Sequence, residues 1–139
     1  MRYLLFASHG RLAEGMLHSV EMITGKQKNI WTLSAYVDDQ IDIKSQIKDV
    51  LNKLTDEDEL IVVTDIFGGS VNNEFMNLLT DARIHLVAGL NLPFVIDLVA
   101  KIHTKQYTVD IIQNALQSSK SSIKYCNVEL QTRTADEDF

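Results

Sequence analysis

The sequence predicts an α/β fold, in which a doubly wound and mostly parallel sheet is flanked by helices. Short apolar runs of strand length alternate along the chain with longer stretches of helical period, a pattern typical of parallel sheets. At 139 residues with 45% hydrophobic content, the chain can fill one core but not two. Because crossovers between parallel strands are right-handed, helices on both faces give the simplest topology. We therefore expect one domain over residues 1–131.

The predicted elements follow one another in a regular order. Apolar runs predict strands over residues 3–8, 30–36, 59–67 and 84–90. The stretches between and after them predict five helices, which begin near Leu12, Ile43, Ser70, Pro93 and Tyr107. The first helix is predicted to end at Gly25, since glycine suits the position after a helix. Its predicted buried face consists of Leu12, Met16, Val20 and Ile23.

The C-terminal segment has a different character from the rest of the chain. Residues 122–131 alternate between polar and apolar over much of their length, which predicts a final edge strand with one face exposed to water. Residues 132–139 are expected to form a polar tail.

Composition excludes several classes of function. The net charge of −6 argues against nucleic acid and anionic membranes as partners, because both require a basic surface. The single cysteine, Cys126, cannot form an internal disulfide, which fits the reducing cytoplasm. No segment has the pattern of a secretory signal, and no apolar run approaches the roughly 20 residues of a membrane span.

His9 is the foremost candidate for chemistry. It stands at the carboxyl end of the first strand, the edge where open α/β sheets bind ligands. Gly10 and a helix start follow, so outward-pointing amides favour an anion such as phosphate and disfavour a charged ring. A neutral imidazole has a free nitrogen lone pair that can attack phosphorus. The alternative is that His9 merely ends the strand with a polar residue.

Asp65 follows the third apolar run and is predicted to lie beside His9. The first and third strands are neighbours in many doubly wound sheets, so the carboxylate can accept a hydrogen bond from one ring nitrogen and leave the other as the nucleophile. The alternative role for Asp65 is to cap the loop or the next helix. The glycines and hydroxyl of Gly68, Gly69 and Ser70 come next, and their amides suit an anion, although such a sequence is often only a turn.

The remaining candidates are weaker. His18 is expected on a solvated helix face, His85 in a strand, and His103 at a helix end. No set of histidine, cysteine and carboxylate residues has metal-ligand spacing, so no metal is predicted. The glycine-rich signatures of dinucleotide and nucleoside triphosphate sites are absent from the sequence as well. Arg11 is a candidate contact to phosphate or a partner.

Three motifs in order carry a resemblance to a known family. They are Ser8-His9-Gly10 followed by Leu12, Ala13 and Gly15, then residues 64–73, and then residues 88–93. Together they resemble the mannose-family IIA domain of the bacterial phosphoenolpyruvate-dependent sugar phosphotransferase system, over residues 1 to about 130.

The resemblance implies a flavodoxin-like fold and a phosphoryl carrier. By position, His9 would accept a phosphoryl group from the phosphocarrier HPr and pass it to a IIB component, which serves a membrane IIC/IID sugar permease. Asp65 would be the carboxylate partner, with Gly10, Gly68, Gly69 and Ser70 on the phosphate side, and Asn91 in the family's other active-edge loop. No cofactor is implied. The family also implies a homodimer that exchanges C-terminal strands, and we expect a stand-alone IIA subunit without a fused IIB domain.

The sequence leaves three alternatives open. The chain could be the phosphoryl-donor subunit of a dihydroxyacetone kinase, although that branch lacks the Gly-Gly-Ser loop. It could be a phosphohistidine phosphatase or mutase, but such enzymes place an arginine before the histidine, where this chain has Ser8. It could also be a regulatory domain that does not transfer phosphate.

Overall fold

The structure, a computed structural model that describes residues 1–137, alternates strands and helices in the predicted order. The strands are β1 (Arg2–His9), β2 (Ile30–Ala35), β3 (Glu59–Thr64) and β4 (Ile84–Ala88). The helices are α1 (Leu12–Thr24), α2 (Ile43–Leu51), α3 (Ser70–Met76), α4 (Leu92–Lys101), α5 (Thr108–Lys120) and α6 (Cys126–Glu137). The four strands and the first five helices are thereby confirmed, with small shifts at their ends. Among residues 1–137, no helix combines the length and hydropathy needed to cross a membrane.

All four strands run parallel, in the order β2-β1-β3-β4. Chain order therefore reverses direction between β1 and β3, which is the arrangement of a flavodoxin-like sheet. In the ladders His9 pairs with Ala35, and Ala7 pairs with Thr64. The carboxyl ends of the three strands consequently meet at one edge, with β1 in the middle.

Alternate residues of β1 supply the two layers of the core. Leu4 and Phe6 belong to a cluster with the buried residues of α1, α4 and α5. Leu5 and Ala7 belong to a second cluster with those of α2 and α3. All four are fully buried, as expected for a strand covered on both faces. The predicted doubly wound architecture is confirmed.

The buried face of α1 differs from the prediction. Val20 is buried and Met16 partly so, but Leu12 and Ile23 are 50% and 58% exposed. Ala13 takes the buried position instead, because it shares one helix face with Met16 and Val20. Its amide donates to the buried Ser8 hydroxyl at 2.8 Å. The predicted helix end at Gly25 is confirmed: its φ is 86°, and its N–H donates to the Glu21 carbonyl.

The predicted strand over residues 122–131 is wrong, because most of this segment belongs to helix α6. A strand needs a hydrogen-bonding partner along its length, whereas a helix satisfies its backbone locally. Here the amides of Val128 and Glu129 both donate to the Tyr125 carbonyl, and the Thr132 hydroxyl donates to the Val128 carbonyl. The helix continues through the predicted polar tail as far as Glu137.

Candidate active site

The site lies where the chain order of the sheet reverses, between the ends of β1 and β3. His9 is the last residue of β1, and Asp65 directly follows β3. The Asp65 amide donates to the Ala7 carbonyl at 3.2 Å, which extends the β1–β3 ladder by one step. This register, and not a chance side-chain orientation, brings the two residues together. Their predicted proximity is confirmed.

His9 and Asp65 are joined by two hydrogen bonds to one oxygen. The backbone N–H of His9 donates to Asp65 Oδ2 at 2.8 Å, and His9 Nδ1 lies 2.8 Å from the same oxygen. The other carboxylate oxygen, Oδ1, accepts the amide of Ile66 at 3.0 Å. The imidazole is 44% exposed, whereas the carboxylate is only 12% exposed. Asp65 thus holds the ring from inside while the ring edge faces solvent.

Asp65 is held in its ionised form by these contacts. Partial burial pushes the pKa of Asp65 upward, but the hydrogen bonds from the amide and imidazole of His9 and from the Ile66 amide outweigh it. The pKa of Asp65 therefore lies below its usual value. Because an ionised carboxylate only accepts hydrogen bonds, His9 Nδ1 carries the proton. The lone pair of the neutral ring is then at Nε2.

Two hydroxyl groups lie beside Nε2. Ser70 Oγ is 3.1 Å from His9 Nε2, and the Tyr36 hydroxyl is 2.8 Å from Ser70 Oγ. The Tyr36 and His9 rings are 5.5 Å apart at an angle of 45°. Ser70 was predicted from the sequence, but Tyr36 was missed. The signal available was a tyrosine directly after β2, at the same sheet edge as His9.

Gly69 allows its loop to approach the imidazole. A Cβ atom at this position would lie 2.8 Å from Ile66 Cγ2 and 3.4 Å from His9 Cε1. Gly68 has φ 80°, a left-handed conformation that favours glycine. The Asn73 side chain fixes the turn by donating to the Gly68 carbonyl at 3.2 Å. Both glycines are therefore required by the shape of the loop around His9.

A buried pair of polar side chains anchors this loop to the sheet. The Thr64 hydroxyl donates to Asn72 Oδ1 at 2.8 Å, and both residues are buried. The Thr64 carbonyl accepts the amides of Gly89 and Leu90, each at 2.9 Å. The end of β3 is thereby tied to α3 on one side and to the loop after β4 on the other.

The polar groups of the turn after His9 form hydrogen bonds within the fold. Gly10 has φ 60°, and its amide donates to the Ala35 carbonyl at 2.9 Å. The Ser8 hydroxyl donates to the Gly10 carbonyl and accepts the Ala13 amide. With its amide used in this way, Gly10 contributes backbone shape beside His9. Ser8, which stands where a phosphatase would have arginine, caps α1.

Arg11 and Asn91 occupy different environments. Arg11 is exposed at the start of α1, and its side chain makes no hydrogen bond or ion pair with the described side chains of residues 1–132 or with the backbone of residues 1–137. Asn91 caps α4 by accepting the Phe94 amide, and its side-chain nitrogen donates to the Gly89 carbonyl. Asn91 therefore shapes its own loop, and the structure does not bring it into contact with His9.

The other histidines lie away from this site. His18 and His103 are exposed, and His85 Nε2 is 2.8 Å from Glu59 Oε2 on the neighbouring strand. Among the side chains that the structure describes, those of residues 1–132, no three histidine, cysteine or carboxylate groups are placed as metal ligands.

The fold and site together define a flavodoxin-like protein with a histidine–aspartate pair at its switch point. Residues 3–116 match the sequence profile of the family described as EIIA-man, PTS system fructose IIA component. The chain therefore belongs to the family of IIA components of the sugar phosphotransferase system (PTS). This assignment confirms the resemblance seen in the sequence.

Relatives with known names agree with this assignment. The chain is 30% identical over its full length to the whole PTS system sorbose-specific EIIA component of Klebsiella pneumoniae. It is 25% identical to the PTS system fructose-specific EIIA component of Bacillus subtilis, over 97% of this chain and 94% of that protein. The sequence-based alternatives, a dihydroxyacetone kinase subunit and a regulatory domain, are not favoured by these matches.

Solved structures show the same fold. A candidate phosphoenolpyruvate-dependent sugar PTS permease from Klebsiella pneumoniae superposes with a TM-score of 0.88 at 47% identity, covering 93% of each chain. The PTS IIA protein associated with the fucose utilization operon of Streptococcus pneumoniae superposes with a TM-score of 0.76 at 29% identity, over 93% of this chain and 96% of that one. The predicted flavodoxin-like fold is thereby confirmed.

Proposed function

We propose that His9 is the phosphoryl acceptor of this IIA component and that Nε2 is the reacting atom. The observation that carries the proposal is the 2.8 Å contact between His9 Nδ1 and Asp65 Oδ2. It occupies one ring nitrogen and leaves the lone pair on the other, which faces the exposed side of the site.

The reaction conserves atoms and charge without a cofactor. The Nε2 lone pair attacks phosphorus of phospho-HPr, the new N–P bond forms, and the donor nitrogen leaves with the electron pair of the old bond. His9 Nδ1 keeps its proton throughout. The ring then carries a positive charge, which the ionised Asp65 stabilises. Transfer to a IIB component reverses the same steps.

The loop of Gly68, Gly69 and Ser70 is proposed to meet the phosphoryl group. A phosphohistidine adds about two negative charges, which need donors beside Nε2. The Ser70 hydroxyl is 3.1 Å from Nε2, and Gly69 lets the loop backbone approach the ring. Arg11, exposed in the turn after His9, is proposed to contact the phosphoryl group or the docking partner.

The exposed surface around His9 suits two successive protein partners. Ile66 and Phe67 in the loop are 58% and 79% exposed, and Leu12 at the start of α1 is 50% exposed. Apolar exposure of this kind marks interaction surfaces. We assign HPr and a IIB component as these partners and place the exchange in the cytoplasm, where the free Cys126 stays reduced. The IIB component would then pass the phosphoryl group to the sugar that the membrane IIC/IID permease transports, so the permease is an indirect partner.

The test is phosphoryl labelling. The protein is incubated with labelled phosphoenolpyruvate, enzyme I and HPr, and phosphorus NMR identifies the nitrogen that carries the group. One acid-labile phosphoryl group on Nε2 is expected, with none on the His9→Ala variant and normal labelling of the exposed control His18→Ala. Equal labelling of His9→Ala would disprove the assignment. Sustained phosphate release from a phosphomonoester would support a phosphatase instead.

We also propose that two copies of the chain associate through the C-terminal segment. Ile123 and Tyr125, before α6, and Val128, within it, are 89%, 70% and 50% exposed. Burial of these residues against a second copy would remove apolar surface from water. Light scattering after size exclusion is expected to give a dimer, and Ile123→Glu with Val128→Glu should give a monomer. A monomeric wild-type protein would contradict this proposal.

A further inference from the structure

We propose that Tyr36 is a positioning residue for phosphoryl transfer, acting on His9 through the hydroxyl of Ser70. This inference rests on the proposed function, since it assigns a role within the same reaction. The two hydroxyls form a hydrogen-bonded relay from Tyr36 through Ser70 to His9 Nε2, with separations of 2.8 and 3.1 Å.

The direction of hydrogen-bond donation along this relay follows from the number of protons available. Asp65 accepts the Nδ1 proton of His9, so Nε2 of the neutral ring can only accept a hydrogen bond. The Ser70 hydroxyl must then donate its single proton to Nε2. Ser70 Oγ is left as an acceptor, and the Tyr36 hydroxyl must be its donor. The protons are therefore aligned from Tyr36 toward the reacting nitrogen, and successive bonds of this kind strengthen one another.

The backbone of Tyr36 indicates that the residue is held in place for this contact. Tyr36 has φ 66°, and it is the one non-glycine residue with a positive φ among residues 1–137. Large side chains avoid this left-handed conformation, and such outliers concentrate at functional sites. Tyr36 follows Ala35, whose carbonyl accepts the Gly10 amide next to His9. From this left-handed residue at the end of β2, the phenol hydroxyl lies 2.8 Å from Ser70 Oγ at the start of α3.

The relay makes different hydrogen bonds before and after phosphoryl transfer. Before transfer, Ser70 donates to the Nε2 lone pair and keeps the ring edge oriented. When the N–P bond forms, that lone pair is consumed, and the Ser70 hydroxyl loses its acceptor. It can rotate to donate to a phosphoryl oxygen, while Tyr36 continues to donate to Ser70 Oγ. No proton leaves either hydroxyl, so the relay positions the donor without taking part in the chemistry.

The experiment compares four variants with the wild-type protein in single-turnover transfer from phospho-HPr to His9. Tyr36→Phe removes only the hydroxyl and is expected to slow transfer about five- to tenfold, the loss of one hydrogen bond. Ser70→Ala should slow transfer at least as much, and the double variant should be no slower than Ser70→Ala alone. The control is Tyr107→Phe, which should transfer at the wild-type rate. Tyr107 is 79% exposed and lies at the opposite sheet edge, next to Gln106, whose carbonyl accepts a hydrogen bond from Arg2.

A second measurement reads the relay without any transfer. The nitrogen NMR shift of His9 Nε2, recorded with the ring neutral, should move in Tyr36→Phe toward its value in Ser70→Ala. A structural role for Tyr36 at the surface would leave this shift unchanged. Tyr36→Gly keeps the left-handed backbone accessible and should still fold, yet show the same slowed transfer.

The outcomes separate this inference from the proposed function. A wild-type rate in Tyr36→Phe, an unmoved Nε2 shift, or full additivity with Ser70→Ala would overturn the role of Tyr36 while leaving His9 as the acceptor. If the wild-type protein takes no label on His9, the proposed function fails, and the Nε2 shift still decides whether the relay exists.

Discussion

His9 Nδ1 and the backbone N–H of His9 both lie 2.8 Å from one oxygen of Asp65. The carboxylate therefore binds both the backbone and the ring of His9 and fixes the orientation of the imidazole. Because the Asp65 amide is bonded to the Ala7 carbonyl, the position of the carboxylate depends on the β1–β3 register and not on a mobile loop. The orientation of the His9 ring thus depends on the pairing of β1 with β3.

Removing the charge of Asp65 should slow phosphoryl transfer without unfolding the protein. Asp65→Asn keeps the shape and an acceptor oxygen but loses the negative charge that stabilises the phosphorylated ring. A hydrogen bond to a charged group contributes about 1.5–3 kcal/mol, so transfer should fall by about 10- to 150-fold. Rapid-quench labelling measures the rate, with the exposed Asp49→Asn as the control. A rate equal to wild type would reduce Asp65 to a structural cap.

The contribution of Asp65 to stability should depend on pH in one direction. Its pKa is lower in the folded protein than in the unfolded chain, where it is about 3.9. The folded state therefore binds fewer protons on this group in acid. Its stabilisation is complete above about pH 4 and is lost as pH falls through the lowered pKa.

Urea unfolding of wild type and Asp65→Asn tests this dependence. The difference in free energy of unfolding should be largest near neutral pH and should shrink below about pH 4. A difference that stays constant between pH 7 and pH 3 would show that the carboxylate charge does not stabilise the fold.

Adding one methyl group at Gly69 should impair the site more than the fold. The Cβ of Gly69→Ala would lie 2.8 Å from Ile66 Cγ2 and 3.4 Å from His9 Cε1, so the loop must move away from the ring. Transfer should fall at least about tenfold, since small misplacement of reacting groups is costly. Gly15→Ala is the matched control, because its Cβ meets nothing within 4 Å in α1.

The same control makes a prediction of its own. Gly15 lies in a helix interior, where alanine is favoured over glycine by about 0.5–1 kcal/mol. Gly15→Ala should therefore raise the free energy of unfolding by about that amount and leave transfer unchanged. Thermal and urea unfolding measure the first effect, and labelling measures the second. A destabilised Gly15→Ala protein would contradict the position of this residue on an open helix face.

Asn72→Ala should destabilise the protein through Thr64. The buried Thr64 hydroxyl donates to Asn72 Oδ1 at 2.8 Å, and its other acceptor, the Val87 carbonyl, is 3.5 Å away. Loss of a buried partner costs about 1–3 kcal/mol, which should appear in urea unfolding. The double variant Thr64→Val with Asn72→Ala should be less destabilised than the sum of the two single variants. Strict additivity would exclude a direct interaction between the two side chains.

The sequence by itself determined the sheet and the core of the site. Apolar runs of strand length and the helical stretches between them depend on local periodicity, so β1 to β4 could be predicted. Parallel strands end at a common edge, and for this reason the sequence predicts that His9 and Asp65, 56 residues apart, lie side by side. The three motifs added the family, which the comparisons confirm.

The tertiary structure alone decided the features that depend on packing and on backbone turns. The alternation in residues 122–131 suits a strand, but from Cys126 onward the backbone makes helical hydrogen bonds instead. The buried face of α1 contains Ala13 and excludes Leu12 and Ile23, because the packing of the helix on the sheet decides which residues face the core. Tyr36 contacts Ser70 and has a left-handed φ, a conformation that residue type disfavours and sequence periodicity does not encode. Local patterns determine elements, whereas the meeting of side chains from different strands requires the assembled fold.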